Sequence, residues 1–267
     1  MAADSTGRLA RAAGDIAEAM RFFTRLPVGE PAPSAPLDID RIAWAAPIAG
    51  AAVGLIGALA LGLASLLGLP LILRAGLATA ALVAATGALH EDGLADVADG
   101  FGGGATRARK LEIMRDSRIG AYGAIAIAIA LILRVGALAA ALDGGFWRAA
   151  LSIILVAALS RAGALTPLTL LPPARPDGAG AAAGRLETSA LLAAWGVAVA
   201  IALGLGLVAL GLAHAFIAIL TSEAGALSMV ALARRALGGQ TGDVAGAAQQ
   251  VSEIAAWCGL LIGHAAA

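Results

Sequence analysis

The chain has 267 residues, of which 60% are hydrophobic and only 13% are charged, and its mean hydropathy is +0.88. A soluble domain carries about 25% charged residues, so this composition predicts a membrane protein. The formal net charge is zero. That excludes the overall basic field that nucleic-acid binding uses, and we expect no nucleic-acid partner.

The first charged segment reads "RLARAAGDIAEAMRFFTRLP" and predicts an amphipathic helix lying on the membrane surface. Leu9, Ile16, Met20 and Phe23 recur at roughly helical spacing. Charges throughout the segment leave no uninterrupted apolar core, so it is not a signal peptide. Pro27 is expected to end the helix.

Later stretches are long and apolar enough to cross a bilayer, which takes about 20 mostly apolar residues. They are residues 42–68, 71–89, 119–142, 148–171 and 188–233, the last dividing into two spans near "LGLAHA", with a weaker candidate from Val251 onward. We therefore predict an all-α, polytopic membrane protein with about six or seven transmembrane helices plus the N-terminal amphipathic helix. Residues 1–267 are expected to form a single integral membrane domain, because no internal repeat or domain boundary is visible.

The basic residues predict an orientation for these spans. If the N-terminus is cytoplasmic and the chain changes sides at each span, residues 1–41, 90–118, 172–187 and 234–250 are cytoplasmic. These segments hold most of the lysines and arginines, as the positive-inside rule requires. The main polar segments therefore fall on one side of the membrane.

The segment "HEDGLADVADGFGGG", residues 90–104, places unusual negative charge after a long apolar run. Asp92, Asp96 and Asp99 are spaced i, i+4 and i+7, so on a helix they share one face and repel one another. A hard cation such as Mg²⁺ removes that repulsion and prefers oxygen ligands. A solvated charged loop is the simpler alternative. We favour a metal site within a cytoplasmic active-site loop of about residues 90–118.

Glycines and bases follow these acids. The glycines of "DGFGGG" allow close backbone approach to a ligand. In the next segment, Lys110, Arg115 and Arg118 are candidates for clamping phosphate oxygens. This order of acids, glycines and bases suits a diphosphate substrate at the membrane surface. Asp116, or one of the clustered aspartates, could accept a proton during transfer.

A second polar segment, "GGQTGDVAGAAQQVSE", covers residues 238–253. Thr241, Asp243 and Glu253 could complete a metal or nucleoside site. The segment could equally be an interhelical turn in which Asp243 is the N-cap, and both interpretations stay open. His90 has a similar choice between ligand or proton relay and a hydrogen-bonding residue at a helix end.

Arg134 and Arg161 lie inside predicted spans, where a charged side chain is costly and usually faces a cavity or a partner. Arg161 could contact an anionic substrate group, or it could pair with Glu223. Arg134 could extend toward the membrane surface.

Five motifs carry a resemblance to a known family: "FFTRLP", "GALHEDGLADVADG", "LEIMRDSRIGAYG", "LSRAGA" and "LGGQTGDVAGA". In this order, over roughly residues 20–255, they resemble the cobalamin synthase family, the adenosylcobinamide-GDP ribazoletransferases. The resemblance implies a multi-pass enzyme of the bacterial inner membrane whose active site faces the cytoplasm. It implies that adenosylcobinamide-GDP is joined to α-ribazole or its 5′-phosphate, that GMP is released and that Mg²⁺ is the cofactor.

Together, the residues and the resemblance give a set of candidate site residues. We predict catalytic roles for Asp92, Asp96, Asp99 and Asp116, the first three as metal ligands, and substrate contacts for His90, Gly93, Gly100, Lys110, Arg115, Arg118, Arg161, Thr241, Asp243 and Glu253. The last motif departs from the family, because Gln250 stands where related sequences often have Glu. A second metal in that segment is therefore in doubt.

Two other functions were weighed. A CDP-alcohol or polyprenyl-phosphate phosphotransferase would carry "DGxxAR", whereas this chain reads "DGLADV". A cation transporter would place acids near the middle of the bilayer, often in two repeated halves, and no repeat is visible. The lipid bilayer is an expected partner, while a homo-oligomer and contacts with neighbouring cobalamin-pathway enzymes stay open.

Overall fold

The computed structural model describes residues 2–29, 37–177 and 184–263. These residues form helices and no named strand, so the predicted all-α class is confirmed. The helices are α1 Ala2–Phe23, α2 Ile39–Ile42, α3 Ala46–Leu66, α4 Leu71–Thr86, α5 Leu89–Gly103, α6 Arg107–Ile113, α7 Ala121–Asp143, α8 Phe146–Leu170, α9 Thr188–Leu205, α10 Leu212–Leu237 and α11 Gly242–Leu261. A 3₁₀ turn, Ala43–Ala45, joins α2 to α3, and a π-helical segment, Gly206–Leu210, extends α9.

Five helical stretches among the described residues are long and apolar enough to cross a membrane. They are Ile39–Leu66, Ala121–Asp143, Phe146–Leu170, Thr188–Leu210 and Leu212–Leu237. A sixth is reached if α4 and α5, which meet at an angle of 89°, count as one broken span. The prediction of a polytopic helical membrane protein is confirmed, and its lower count of six requires that this broken pair be one span. The weak candidate at the C-terminus does not qualify among the described residues, because residues 251–261 belong to α11, which begins earlier and carries polar side chains. The last residues of this candidate lie outside the described part of the chain.

Helix α8 forms the centre of the bundle. In the most apolar part of α8, 89% of the residues are buried, whereas the corresponding share in α7 is 22%. Most of the surface of α7 is therefore left to contact lipid. Glycines of α3 let that helix approach α8 closely. A Cβ at Gly50 would lie 2.3 Å from the carbonyl oxygen of Ala157, and one at Gly54 would lie 2.7 Å from the Cα of Ile154. Small residues at such contacts are typical of membrane helix packing, where close van der Waals approach drives association.

A sharp bend separates α4 from α5. Gly87 and Ala88 both adopt left-handed backbone conformations, with φ of 64° and 58°, which ends α4. The backbone N–H of Arg25 donates to the carbonyl of Ala85 at 2.7 Å, and its side chain lies against Gly87. The "FFTRLP" motif therefore packs at the bend. Most of residues 90–118 lies in α5 and α6. The prediction that this segment is a loop is therefore wrong.

The N-terminal helix agrees with the amphipathic pattern. Phe23 is buried, and Ile16 and Met20 pack against the same core cluster as α2 and α3, whereas Leu9 is 72% exposed. The C-terminal half of α1 is therefore held by the bundle. Its last residues line the cavity described below.

Candidate active site

The two polar segments of the sequence meet where α5 crosses the start of α11. A Cβ at Gly93 would lie 2.8 Å from the carbonyl oxygen of Asp243 and 3.2 Å from the Cα of Gly246. Only a glycine at position 93 allows this approach without a shift of backbone. The contact brings the aspartates of α5 beside Asp243, although about 150 residues separate them in the chain.

Asp92 is exposed and Asp96 is half-buried, and Asp243, Asp92 and Asp99 all lie close enough to Asp96 to repel its charge. Neither Asp92 nor Asp96 has a hydrogen bond or an ion pair within the part of the chain that the structure describes. The Arg175 guanidinium, which pairs with Asp243, offsets only part of the repulsion among these adjacent carboxylates. This corner of the molecule is therefore suited to a cation.

Asp243 lies in the first turn of α11, and Thr241 rather than Asp243 is the N-cap. The Thr241 hydroxyl accepts from the backbone N–H of Val244 at 3.2 Å, and the same hydroxyl donates to Asp243 at 3.2 Å. Arg175 pairs with Asp243 at 3.4 Å. Burial raises the pKa of Asp243, the Arg175 guanidinium and the Thr241 hydroxyl oppose that rise, and the Asp92 carboxylate adds to it. The turn interpretation thus named the right feature and the wrong residue.

Asp99 is committed to a structural contact. Its two carboxylate oxygens accept from the backbone N–H groups of Gly120, at 2.7 Å, and Gly123, at 2.9 Å. These donors belong to the first turn of α7, where a negative charge is favourable. A Cβ at Gly120 would lie 2.4 Å from the carboxylate. A metal-ligand role for Asp99 stays a prediction, and a metal ion there would have to use the lone pairs that these hydrogen bonds leave free or displace one of the donors.

The predicted phosphate-binding bases are also occupied. The Lys110 ammonium donates to the carbonyls of Phe101, at 3.0 Å, and Gly104, closing the C-terminal end of α5. Arg115 pairs with Asp177 on the surface. Gly100 serves packing, since a Cβ there would lie 2.6 Å from the Met114 side chain. In this structure none of these residues is brought to Asp92 and Asp96 by a hydrogen bond or ion pair among the described residues.

Asp116 and Arg118 form an exposed pair in the turn between α6 and α7. The Arg118 guanidinium donates to both oxygens of Asp116, at 3.0 Å and 2.6 Å, and these hydrogen bonds lower the pKa of Asp116 to about 2. Asp116 lines an open hollow of about 540 Å³ with Asp99 and Tyr122. A carboxylate with so low a pKa is a weak proton acceptor.

The opposite pKa shifts of Asp116 and Asp243 lead to a prediction about how the reaction rate depends on pH. The pKa of Asp116 is lowered from 3.8 to about 2, so this carboxyl group stays ionised at pH values somewhat below 3.8. Its charge is lost only as the pH falls through about 2. Asp116→Asn should therefore leave the pH–rate profile unchanged between about pH 5 and pH 9. Asp243 has a raised pKa and gains its proton at a higher pH. Asp243→Asn should lower the rate and remove any acid limb that this carboxylate causes, as initial rates across the same pH range would test.

Arg134, Arg161 and Glu253 meet deep in the bundle. Arg134 bonds Glu91 of α5 at 2.6 Å and Glu253 of α11 at 2.8 Å, and Arg161 lies 3.9 Å from Glu253. All four residues are at most 5% exposed. Arg134 is thus an interior ion-pair partner and does not extend toward the surface. Glu223 instead accepts from Thr166 at 3.4 Å, so the suggested pair of Arg161 with Glu223 is wrong.

Amide side chains complete this buried network. Gln250 donates to Glu91 at 3.1 Å, and Gln249 donates to Glu253 at 2.7 Å and to Ser160 at 2.9 Å. Gln250, which stands where related sequences often have Glu, therefore makes hydrogen bonds within this network, and nothing among the described residues tests a second metal in its segment. Two guanidinium and two carboxylate groups balance in charge. The network joins α5, α7, α8 and α11 directly beneath the aspartates.

His90 lines a cavity next to the aspartates. The cavity has a volume of about 220 Å³ and lies between α1, α2, α5, α8 and α11. Asp92, Gly93 and Asp243 line it beside His90, and much of the remaining wall is apolar. The His90 ring is buried and stacks on Phe23 with the ring planes 6° apart. Its Nε2 atom has no hydrogen-bond partner in residues 2–29, 37–177 and 184–263.

The expected Mg²⁺ requires a set of oxygen ligands. Within the described ranges, no group of three His, Cys, Asp or Glu side chains converges as a preformed metal site. Mg²⁺ is usually held by one or two carboxylates and shares its other positions with water and substrate phosphates. Asp92 and Asp96 have no hydrogen bond or ion pair among the described residues. They fit a site in which two carboxylates hold the ion together with water and phosphate. The three-aspartate arrangement expected from spacing is not assembled here, since Asp99 faces α7.

Comparison with known proteins agrees with the resemblance found in the motifs. A family model described as cobalamin-5-phosphate synthase matches residues 15–261. The chain belongs to the cobalamin-5-phosphate synthase family. The match covers the aspartates and the residues that line the cavity described above, from the end of α1 to α11. No solved structure matches the chain.

Curated relatives of this family are similar over nearly their whole length. A protein of Azorhizobium caulinodans is 50% identical over 96% of this chain and 98% of its own, and one of Xanthobacter autotrophicus is 48% identical with the same coverage. A protein of Bradyrhizobium diazoefficiens is 46% identical over 90% of both chains. All three are named adenosylcobinamide-GDP ribazoletransferase. Neither the phosphotransferase nor the transporter alternative finds support in these names.

Proposed function

We propose that this chain is a membrane-bound adenosylcobinamide-GDP ribazoletransferase of cobalamin biosynthesis. It would join adenosylcobinamide-GDP to α-ribazole or α-ribazole 5′-phosphate and release GMP. Family membership and the names of the relatives support the reaction. The observation that carries the assignment of the site is the contact of Gly93 with Asp243, which brings Asp243 beside Asp92 and Asp96, and Asp92 and Asp243 both line the cavity.

The chemistry is the transfer of the cobinamide phosphate group from GMP to a hydroxyl group of the acceptor. A ribose hydroxyl of the acceptor forms a bond to the phosphorus nearest cobinamide, and the bond from that phosphorus to the oxygen of GMP breaks. When α-ribazole 5′-phosphate is the acceptor, the attacking hydroxyl cannot be the one that is already phosphorylated. Such reactions depend mainly on positioning and on stabilisation of charge.

Asp92 and Asp96 are the residues that we propose to hold Mg²⁺. When bound, the ion would offset the negative charge that develops on the diphosphate. Gly93 lets the start of α11 approach α5 closely beside these carboxylates. The first backbone N–H groups of α11 add a favourable environment for an anion, and Arg175 supplies a fixed positive charge beside Asp243.

Asp243 is our candidate for the group that accepts the hydroxyl proton. Its pKa is raised by burial, which brings it nearer to the range in which a carboxylate is an efficient base. Asp116, whose pKa is about 2, is the weaker candidate. The Thr241 hydroxyl and Arg175 would hold the Asp243 carboxylate in place through the contacts described above.

We also propose that the site faces the cytoplasm and that the membrane is the bacterial inner membrane. Counting α4 as one crossing places α1, α6 and the start of α11 on the same side of the bilayer. These segments carry much of the positive charge, which favours the cytoplasmic side. Both substrates are water-soluble at their reacting ends, so a site at this edge would be accessible to them.

The test is GMP release by the purified chain in detergent or liposomes. The reaction would contain adenosylcobinamide-GDP and α-ribazole 5′-phosphate, with Mg²⁺ or with EDTA. We expect GMP to form in equal amount with a cobalamin product, and only when Mg²⁺ is present. Equal product with EDTA would disprove the metal dependence, and no product from folded protein would disprove the function.

A further inference from the structure

The cavity beside the aspartates has a composition that selects among the parts of the two substrates. Its wall combines side chains from α1, α5 and α8, including Phe22, Phe23, Leu89, Leu165 and Leu168. In the part of the chain that the structure describes, the ionisable lining residues are His90, Asp92 and Asp243, and the two aspartates belong to the proposed metal and proton-transfer site. The rest of the cavity is therefore apolar except for one imidazole.

We infer that this cavity binds the aromatic base of the acceptor nucleoside, the benzimidazole ring of α-ribazole. This inference rests on the proposed function and assigns a place to one of its substrates. A dry cavity of about 150 Å³ is enough for benzene, so about 220 Å³ accommodates a somewhat larger aromatic ring system. Cavities for drug-sized ligands measure about 300–1,000 Å³, which excludes the much larger corrin ring.

The polar group in the wall matches the polar group of this base. A benzimidazole attached to ribose keeps one free ring nitrogen, which accepts a hydrogen bond. The buried Nε2 of His90 has no hydrogen-bond partner among the described residues, and a buried polar atom without a partner is costly. One hydrogen bond between these nitrogens satisfies both. The methyl groups of the base would contact the leucine and phenylalanine side chains.

Position supports the same occupant. Asp92 and Asp243 line the cavity. A base bound inside would therefore place its ribose beside these two carboxylates, where the hydroxyl must react. Guanine is the competing aromatic group. Its edge carries several donors and acceptors, and an apolar wall with a single imidazole would leave most of them without partners.

The inference can be tested by a substitution that makes the cavity smaller without changing any charge. Ala245 lines the cavity at the second turn of α11, and Ala245→Leu would fill part of it. We expect its KM for α-ribazole to rise about tenfold, with a smaller rise for the nucleoside of unsubstituted benzimidazole and no change in KM for adenosylcobinamide-GDP. His90→Phe should raise KM about tenfold for both nucleosides, the effect of losing one buried hydrogen bond.

The matched control is Ala128→Leu, the same change at an exposed position of α7 away from the cavity, which should leave every constant unchanged. Equilibrium dialysis of α-ribazole against the purified protein gives a readout independent of catalysis. Saturable binding that Ala245→Leu weakens would support the cavity even if no transfer occurred, and only the proposed function would then fail. Competition by GMP for that binding, or unchanged α-ribazole KM in folded Ala245→Leu, would overturn the inference.

Discussion

Replacing Asp96 by Asn should lower kcat by about 10²–10³-fold with little change in folding, and Asp92→Asn should do the same. Each change keeps the size of the side chain but removes a charge from the face that α5 presents to Asp243. The loss of one fixed group that stabilises transition-state charge typically costs this much. Initial rates of GMP release at several Mg²⁺ concentrations would measure it. We also expect the Mg²⁺ concentration for half-maximal rate to rise.

Asp99→Asn is the informative comparison, because the same change at the third aspartate should have a different effect. Asp99 bonds the start of α7, so we expect a loss of about 1–2 kcal/mol in stability and a near-normal kcat for the folded fraction. Glu112→Gln, on an exposed pair with Arg109, serves as a surface control. A kcat for Asp99→Asn as low as that for Asp96→Asn, with an unchanged melting temperature, would restore the three-aspartate metal site.

The local features of the fold were accessible from sequence because they depend on short-range patterns. Hydropathy located the spans, and the i, i+4, i+7 spacing placed the aspartates on one helical face. The bend at Gly87 and Ala88 was not predicted, because the residues on both sides of it are compatible with a continuous helix. It is recognised only from the left-handed backbone conformation of Ala88. That bend turns α5 away from the axis of α4 and sets the direction of the acidic face.

The missing parts of the site come from contacts between distant segments. Arg175 reaches Asp243 across 68 positions, and Arg134 reaches Glu91 across 43. Nothing in the local sequence around Arg134 identifies which acid will neutralise it. A usable signal did exist, since Glu91 and Glu253 each flank a polar motif beside a membrane span, and buried charges are expected to be paired.

Arg134→Met should destabilise the fold by about 3–5 kcal/mol, the typical cost of leaving a buried charge without its partner. Arg134 is 3% exposed and is the group that joins Glu91 to Glu253. Its removal would leave two buried carboxylates with one buried cation, Arg161, which lies 3.9 Å from Glu253. Thermal unfolding in detergent would record the change as a lower melting temperature.

A second substitution distinguishes charge from packing. In Arg134→Met with Glu91→Gln, one cation and one anion are lost together, so the remaining pair of Arg161 and Glu253 is again balanced. We expect the double variant to be more stable than Arg134→Met alone, whereas Arg235→Met, at an exposed end of α10, should have little effect. If the double variant is no more stable than the single one, the network contributes through shape. If it recovers stability while turnover stays low, the ion pair holds α5 and α11 in the register that brings Asp96 to Asp243.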